Sequence, residues 1–77
     1  VITVKRISSG DPHTDTKWLV LEGTYEGVPQ ATKRRTINTA ALASGHLLLA
    51  NEKAALIADV EEYAQRYLAV QEALREL

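Results

Sequence analysis

From Glu52 to Glu76, 25 consecutive residues rich in Ala, Leu, Glu and Arg contain no glycine or proline. Such a stretch has strong intrinsic helix propensity, and no residue within it would break the hydrogen-bond ladder. Large apolar side chains recur at Leu56, Val60, Tyr63, Tyr67, Val70, Leu74 and Leu77, alternately four and three apart. This spacing keeps all seven on one stripe of an α-helix and requires that stripe to be covered. The chain is therefore expected to end in one long amphipathic helix, over about residues 51–76, with Asn51 as its cap and Glu52 in its first turn. Whatever precedes that helix must cover its stripe.

The preceding half has the other periodicity. Val1 to Ile7 is dense in β-branched residues and runs into Ser8-Ser9-Gly10-Asp11-Pro12, a strand followed by a loop. Lys17 to Tyr25 reads as a second strand, and its Trp-Leu-Val-Leu centre implies that both of its faces are at least partly covered. Glu26-Gly27 suits a two-residue hairpin, since Gly27 takes positive φ freely. A third strand is then expected over about 28–37, in an edge position because Pro29 cannot donate to a ladder. This register sets Trp18 opposite Arg35, Val20 opposite Lys33 and Glu22 opposite Ala31, so that Trp18, Val20, Lys33 and Arg35 share one face. Asn38 caps a short helix read over about 39–49, with Ser44-Gly45 as a stop signal. The run from His46 to Ala50 fits either the rest of that helix or a buried extended segment, and is read as helix.

These elements describe a single α+β domain over residues 1–77: strands at about 1–7, 17–25 and 28–37, then two helices, the longer packed on an antiparallel meander. With 77 residues there is room for one core. The sequence has one Trp, three Tyr and no Phe, so aliphatic side chains must build most of that core. The expected core is Ile2, Val4, Leu19, Leu21, Leu56, Ile57, Val60, Tyr63, Tyr67 and Val70.

Function is constrained mainly by exclusion. Without Cys there is no disulfide, thiolate metal site or cysteine nucleophile, and an unstapled small domain fits the cytoplasm. No apolar run nears the roughly 20 residues needed to span a bilayer, and no signal peptide is visible. The four glycines are scattered and form no phosphate loop. Asp11, His13 and Asp15 alternate along a loop as metal ligands can, but a solvated turn explains them better. Ser8 and Ser9 with His13 and Asp15 have the residue types of a hydrolytic triad, but nothing in the sequence supplies a rigid elbow or an oxyanion hole. Glu61 and Glu62, adjacent on a helix, diverge and make no dyad. No catalytic residue, cofactor or metal site is expected, and the chain is read as a non-enzyme.

Two candidate contact surfaces follow. On the long helix, Val60, Tyr67 and Leu74 take heptad position a, and Tyr63, Val70 and Leu77 take d. Ile57, Ala64 and Gln71 are then at e, and Asp59, Arg66 and Ala73 at g. Apolar Ile57 and Ala64 widen the stripe, as for a helix packed on its own sheet. A helix of about 25 residues, however, spans about 37 Å against about 23 Å for a seven-residue strand. The far turns, with Tyr67, Val70, Leu74 and Leu77, are therefore expected to overhang and contact a protein partner, or a second copy in a homodimer.

The second surface rests on charge. Residues 1–36 carry six basic side chains against four acidic, whereas residues 37–77 carry three against six. Trp18, Lys33, Arg34 and Arg35 could stack a base and neutralise phosphates. From Trp18 to Ala43, a meander with a basic third strand and a following helix resembles the arm-binding N-terminal domains of tyrosine recombinases. That resemblance implies DNA contact through the sheet. The leading expectation is nevertheless a small accessory protein-interaction module, of the style of phage and plasmid proteins, with nucleic-acid binding as the alternative.

Overall fold

A computed structural model describes residues 1–9 and 18–77. Its elements are β1 (Ile2–Ser9), β2 (Trp18–Tyr25), β3 (Thr32–Asn38), α1 (Thr39–Ala43) and α2 (Leu49–Arg75). The strands form one antiparallel sheet in the order β1-β2-β3, and α2 packs against all three, so the α+β architecture is as the sequence implied. Asp11, His13 and Asp15 lie outside the described residues, as does the expected start of the second strand at Lys17.

The β2-β3 connection differs from the two-residue hairpin. It runs from Glu26 to Ala31, and the Tyr25 N–H donates to the Ala31 carbonyl at 2.9 Å. Two turns follow in tandem, closed by Val28 N–H to Tyr25 O and by Ala31 N–H to Val28 O, each 3.4 Å. Gly27 (φ 89°) and Gln30 (φ 60°) occupy the third position of each turn, and Pro29 the second position of the later one. Positive φ in the third position, with proline before it, is the type II pattern. Val28 to Ala31 are thus turn rather than strand. The turns point Val28 and Ala31 inward, where both are buried with Ala64.

Tyr25 therefore faces Ala31 instead of Val28, a displacement of three residues. An odd displacement turns every side chain of β3 to the opposite face. Trp18 pairs with Asn38, Val20 with Thr36, Glu22 with Arg34, and Gly23 with Lys33. The expected face of Trp18, Val20, Lys33 and Arg35 does not form. On β2 Leu19 and Leu21 meet the core, and the opposite face is partly covered: Val20, Glu22 and Thr24 are half-buried, whereas Trp18 is 52% exposed on the side away from α2. In β1 a bulge between Arg6 and Ser8 shifts the pairing after Arg6 meets Leu21.

α1 begins as expected, with the Asn38 side chain accepting from the Ala40 N–H at 2.9 Å. It stops at the expected signal. Gly45 (φ 81°) donates to Leu42 O, and His46 N–H to Ala41 O, a Schellman pair. This closes the helix at Ala43, so residues 46–48 are not its continuation. Leu47 turns inward onto the core instead. α2 then starts at Leu49, two residues before the expected cap. Leu48 occupies the cap position with no side-chain acceptor, and its carbonyl takes the N–H groups of Asn51 and Glu52. Asn51 is already inside the helix, and Glu52 keeps its favourable place in the first turn.

The core has two adjoining parts. Leu21, Ile37, Leu56 and Val60 form one, with Ile2, Val4, Leu19, Tyr25, Leu42 and Leu47 against them. Val28, Ala31 and Ala64 form the other, capped by Tyr25, Tyr63 and Tyr67. Most of the expected core is here. Ile57 is only half-buried and belongs to neither part, and Val70 is 56% exposed because the sheet ends before it. The helix lies closest to the sheet over Gly23, where an added Cβ would stand 3.0 Å from Val60 Cγ2.

Candidate functional site

α2 has 27 residues and spans about 40 Å, whereas the eight-residue β2 spans about 26 Å. Leu56, Val60 and Ala64 are buried under the sheet, and Tyr63 and Tyr67 are half-buried at its edge. Past Tyr67 the same stripe continues with no other described residue closing over it. Val70 and Leu74 are 56% and 55% exposed, and Leu77 is fully exposed. The four expected contact residues, Tyr67, Val70, Leu74 and Leu77, are therefore brought onto one continuous stripe. Where the sheet ends, Tyr63, Arg66, Tyr67, Val70 and Gln71 line a shallow, largely apolar groove. Charges on this part of the helix pair with one another. Arg66 donates to Glu62 (2.6 Å) and Arg75 to Glu72 (3.3 Å).

The sheet face turned away from α2 is the second surface. Lys5, Glu22 and Arg34 line up across the three strands, with Glu22 held by Lys5 (3.6 Å) and Arg34 (3.1 Å). Threonines flank this row, and the Thr24 and Thr32 hydroxyls meet at 3.2 Å. Trp18 lies further along the same face opposite Asn38.

The four expected nucleic-acid contacts are divided by the register. Arg34 shares the open face with Trp18, but Lys33 and Arg35 turn toward α2. Lys33 Nζ sits 5.1 Å above the centre of the Tyr63 ring, a cation–π contact. The Arg35 guanidinium bonds the Glu52 carboxylate, tying β3 to the first turn of α2. Two of the three consecutive basic residues thus fasten the helix to the sheet. Lys5 belongs to the open face and was missed, although the alternation of β1 opposite β2 carries the signal.

Beside Tyr63, a cleft holds Lys33 and Arg66 together with Asp59 and Glu62, so its charges balance. Among the described residues no three His, Asp or Glu side chains cluster as metal ligands do, and no helix is long and apolar enough to cross a membrane. His46 is exposed in the link between the helices. Comparison of the chain with known protein families, with characterised proteins and with solved structures gives no match.

Proposed function

We propose that this chain is a non-enzymatic protein-interaction module whose contact surface is the projecting end of α2. The observation that carries this reading is the continuity of the apolar stripe. The positions that bury Leu56 and Val60 under the sheet recur beyond it as exposed Val70, Leu74 and Leu77. A contiguous apolar strip on a small domain is a favoured place for another protein to bind, and each side chain fully covered contributes roughly 1.5–3 kcal/mol of transfer free energy.

Because the chain lacks cysteine, a single Leu74→Cys reports directly on coverage. In dilute purified protein it should react with a maleimide as fast as a Glu61→Cys control on the exposed flank. In the cells that make the chain it should be protected severalfold relative to that control. Equal reactivity of the two positions in those cells would remove this reading.

A second reading is favoured by one observation. The sheet face turned away from α2 sets Trp18 on the same side as Lys5 and Arg34, an aromatic and two cations that a nucleic acid could engage. Glu22 between the cations and the acidic helix half oppose it. Titration with DNA at low salt, followed by the fluorescence of the single Trp, separates the two readings. If the open face binds, Lys5→Ala and Arg34→Ala should each weaken binding about three- to tenfold and reduce the salt slope by about one, whereas Lys33→Ala should change neither. No binding at low salt would eliminate this alternative.

A further inference from the structure

We propose that the free edge of β3 takes an extended, acidic segment of another protein as a fourth strand. This edge lies apart from the projecting end of α2, and the proposal does not rest on the reading of that end.

The register fixes which backbone groups of β3 are free. The Tyr25 N–H points across to β3, where Ala31 O accepts it, whereas the Glu26 N–H points the other way, to Val1 O. Alternation along an antiparallel ladder then turns Gly23, Leu21 and Leu19 toward β3, and their partners Lys33, Arg35 and Ile37 toward β2. The N–H and C=O groups of Thr32, Arg34 and Thr36 therefore point outward. All three residues are exposed, and among the described residues no backbone hydrogen bond reaches those groups. β3 has seven residues with no glycine or proline and pairs without a break, whereas the opposite edge strand, β1, is interrupted by its bulge after Arg6. A regular open edge is a template for another strand.

Charge decides against a second copy. If β3 paired with itself in an antiparallel ladder, the outward residues 32, 34 and 36 would have to face one another. The fullest overlap then sets Arg35 against Arg35. The overlap centred on Arg34 sets Arg34 against Arg34 and Lys33 against Arg35. Like charges directly opposite one another destabilise a ladder. A slip toward the far end of the strand avoids them only by running the second copy past Asn38 into α1, which begins at Thr39.

The same charge selects the partner. On the face turned from α2, Lys5 and Arg34 share one carboxylate, Glu22. Arg34 gives Glu22 only its Nε, so its terminal nitrogens, on a side chain 67% exposed, have no partner among the described residues. On the α2 side, Lys33, Arg35 and Arg66 are balanced by Glu52, Asp59 and Glu62. A carboxylate on the added strand is therefore drawn to the outer face beside Arg34, and the side chains turned toward α2 are uncharged. The partner is an extended segment with its acidic residue on one face only.

The blocked peptide Ser-Thr-Val-Glu-Val-Thr-Ser has that pattern, and titrating it to about 1 mM into isotopically labelled protein, with amide exchange read by NMR, tests the proposal. The amides of Thr32, Arg34 and Thr36 should gain protection, while those of Lys33 and Arg35, already bonded to β2, stay unchanged. Replacing the peptide's Glu by Gln should weaken binding about two- to fivefold, and by Lys further still. Arg34→Ala, at an exposed position, should leave the circular dichroism unchanged and abolish the difference between the Glu and Gln peptides. Absence of binding at that concentration, protection without the alternation, or shifts confined to Trp18 or the end of α2 would overturn the added strand. Equal binding of the Glu and Lys peptides would overturn its acidic character. The alternating protection arising on concentration of the protein alone, with a sedimenting mass approaching twice 8.5 kDa, would assign the edge to a second copy and overturn the acidic partner.

Discussion

Leu56→Ala should destabilise the fold by about 2–5 kcal/mol, whereas Leu74→Ala in dilute protein should change stability by no more than about 0.5 kcal/mol. The two leucines are 18 residues apart on one unbroken helix, about five full turns, so they share an azimuth. Residue type, helix and facing direction are the same, and only the cover differs. Leu56 is 1% exposed, enclosed by the sheet and close to Gly23, whereas Leu74 is 55% exposed past the sheet's end. Truncating Leu56 removes transfer free energy and leaves a cavity that the surrounding strands close only in part. Truncating Leu74 removes atoms that were in water already.

Total stability for a chain of this length is about 4–12 kcal/mol, from roughly 0.05–0.15 kcal/mol per residue. Leu56→Ala should therefore bring the protein close to unfolding at room temperature. Urea titration followed by far-ultraviolet circular dichroism at low micromolar protein measures both variants. Equal costs at the two positions would mean that the far end of α2 is covered by its own chain in solution.

The contrast between the two leucines also marks where the sequence was legible. The 3-4 spacing identified α2 and its stripe correctly, because helical periodicity is local and runs without interruption for seven turns. It could not state where cover stops. That depends on the length and placement of the sheet, and the sheet depends on a turn. The turn was the least legible element. Glu26-Gly27 satisfies the chemistry of a two-residue hairpin, and nothing local distinguishes that from the first of two linked turns. What decides between them is burial. The longer connection places Val28 and Ala31 against Ala64, a contact between residues more than thirty positions apart. The error of three residues then carried into function by moving Lys33 and Arg35 from the outer face to the helix side. The caps were read with mixed success for a related reason. Asn38 and Gly45 act on their own helix within a few residues and were identified, whereas α2 begins at Leu49 with no capping side chain, in a place fixed by Leu47 packing onto the core.

Gly23→Leu should also damage the helix–sheet contact, costing about 1–3 kcal/mol or more by overpacking. Gly23 lies in the middle of the central strand, paired with Val4 on one side and Lys33 on the other. A glycine there is ordinarily a weakness, since it adds entropy to the unfolded chain and packs nothing. Here it lets α2 approach. A Cβ at this position would meet Val60 Cγ2 at 3.0 Å and Leu56 Cγ at 3.2 Å, and both neighbours are fully buried. Alanine demands only a few tenths of an ångström of adjustment, and its strand preference offsets part of the crowding, so Gly23→Ala should be far milder than leucine. Leucine cannot be accommodated without lifting the helix off the strand, and such a lift would also strain the Arg35–Glu52 bond at the start of α2. If direct contact is the cause, Val60→Ala should relieve it. Each change alone destabilises, by a cavity in one case and by crowding in the other. The Gly23→Leu, Val60→Ala pair should therefore be more stable than the sum of the single costs predicts, by about 0.5–3 kcal/mol. Thermal or urea unfolding of the four proteins in the cycle measures that coupling. Strict additivity would mean that Gly23 serves the strand's backbone rather than the approach of the helix.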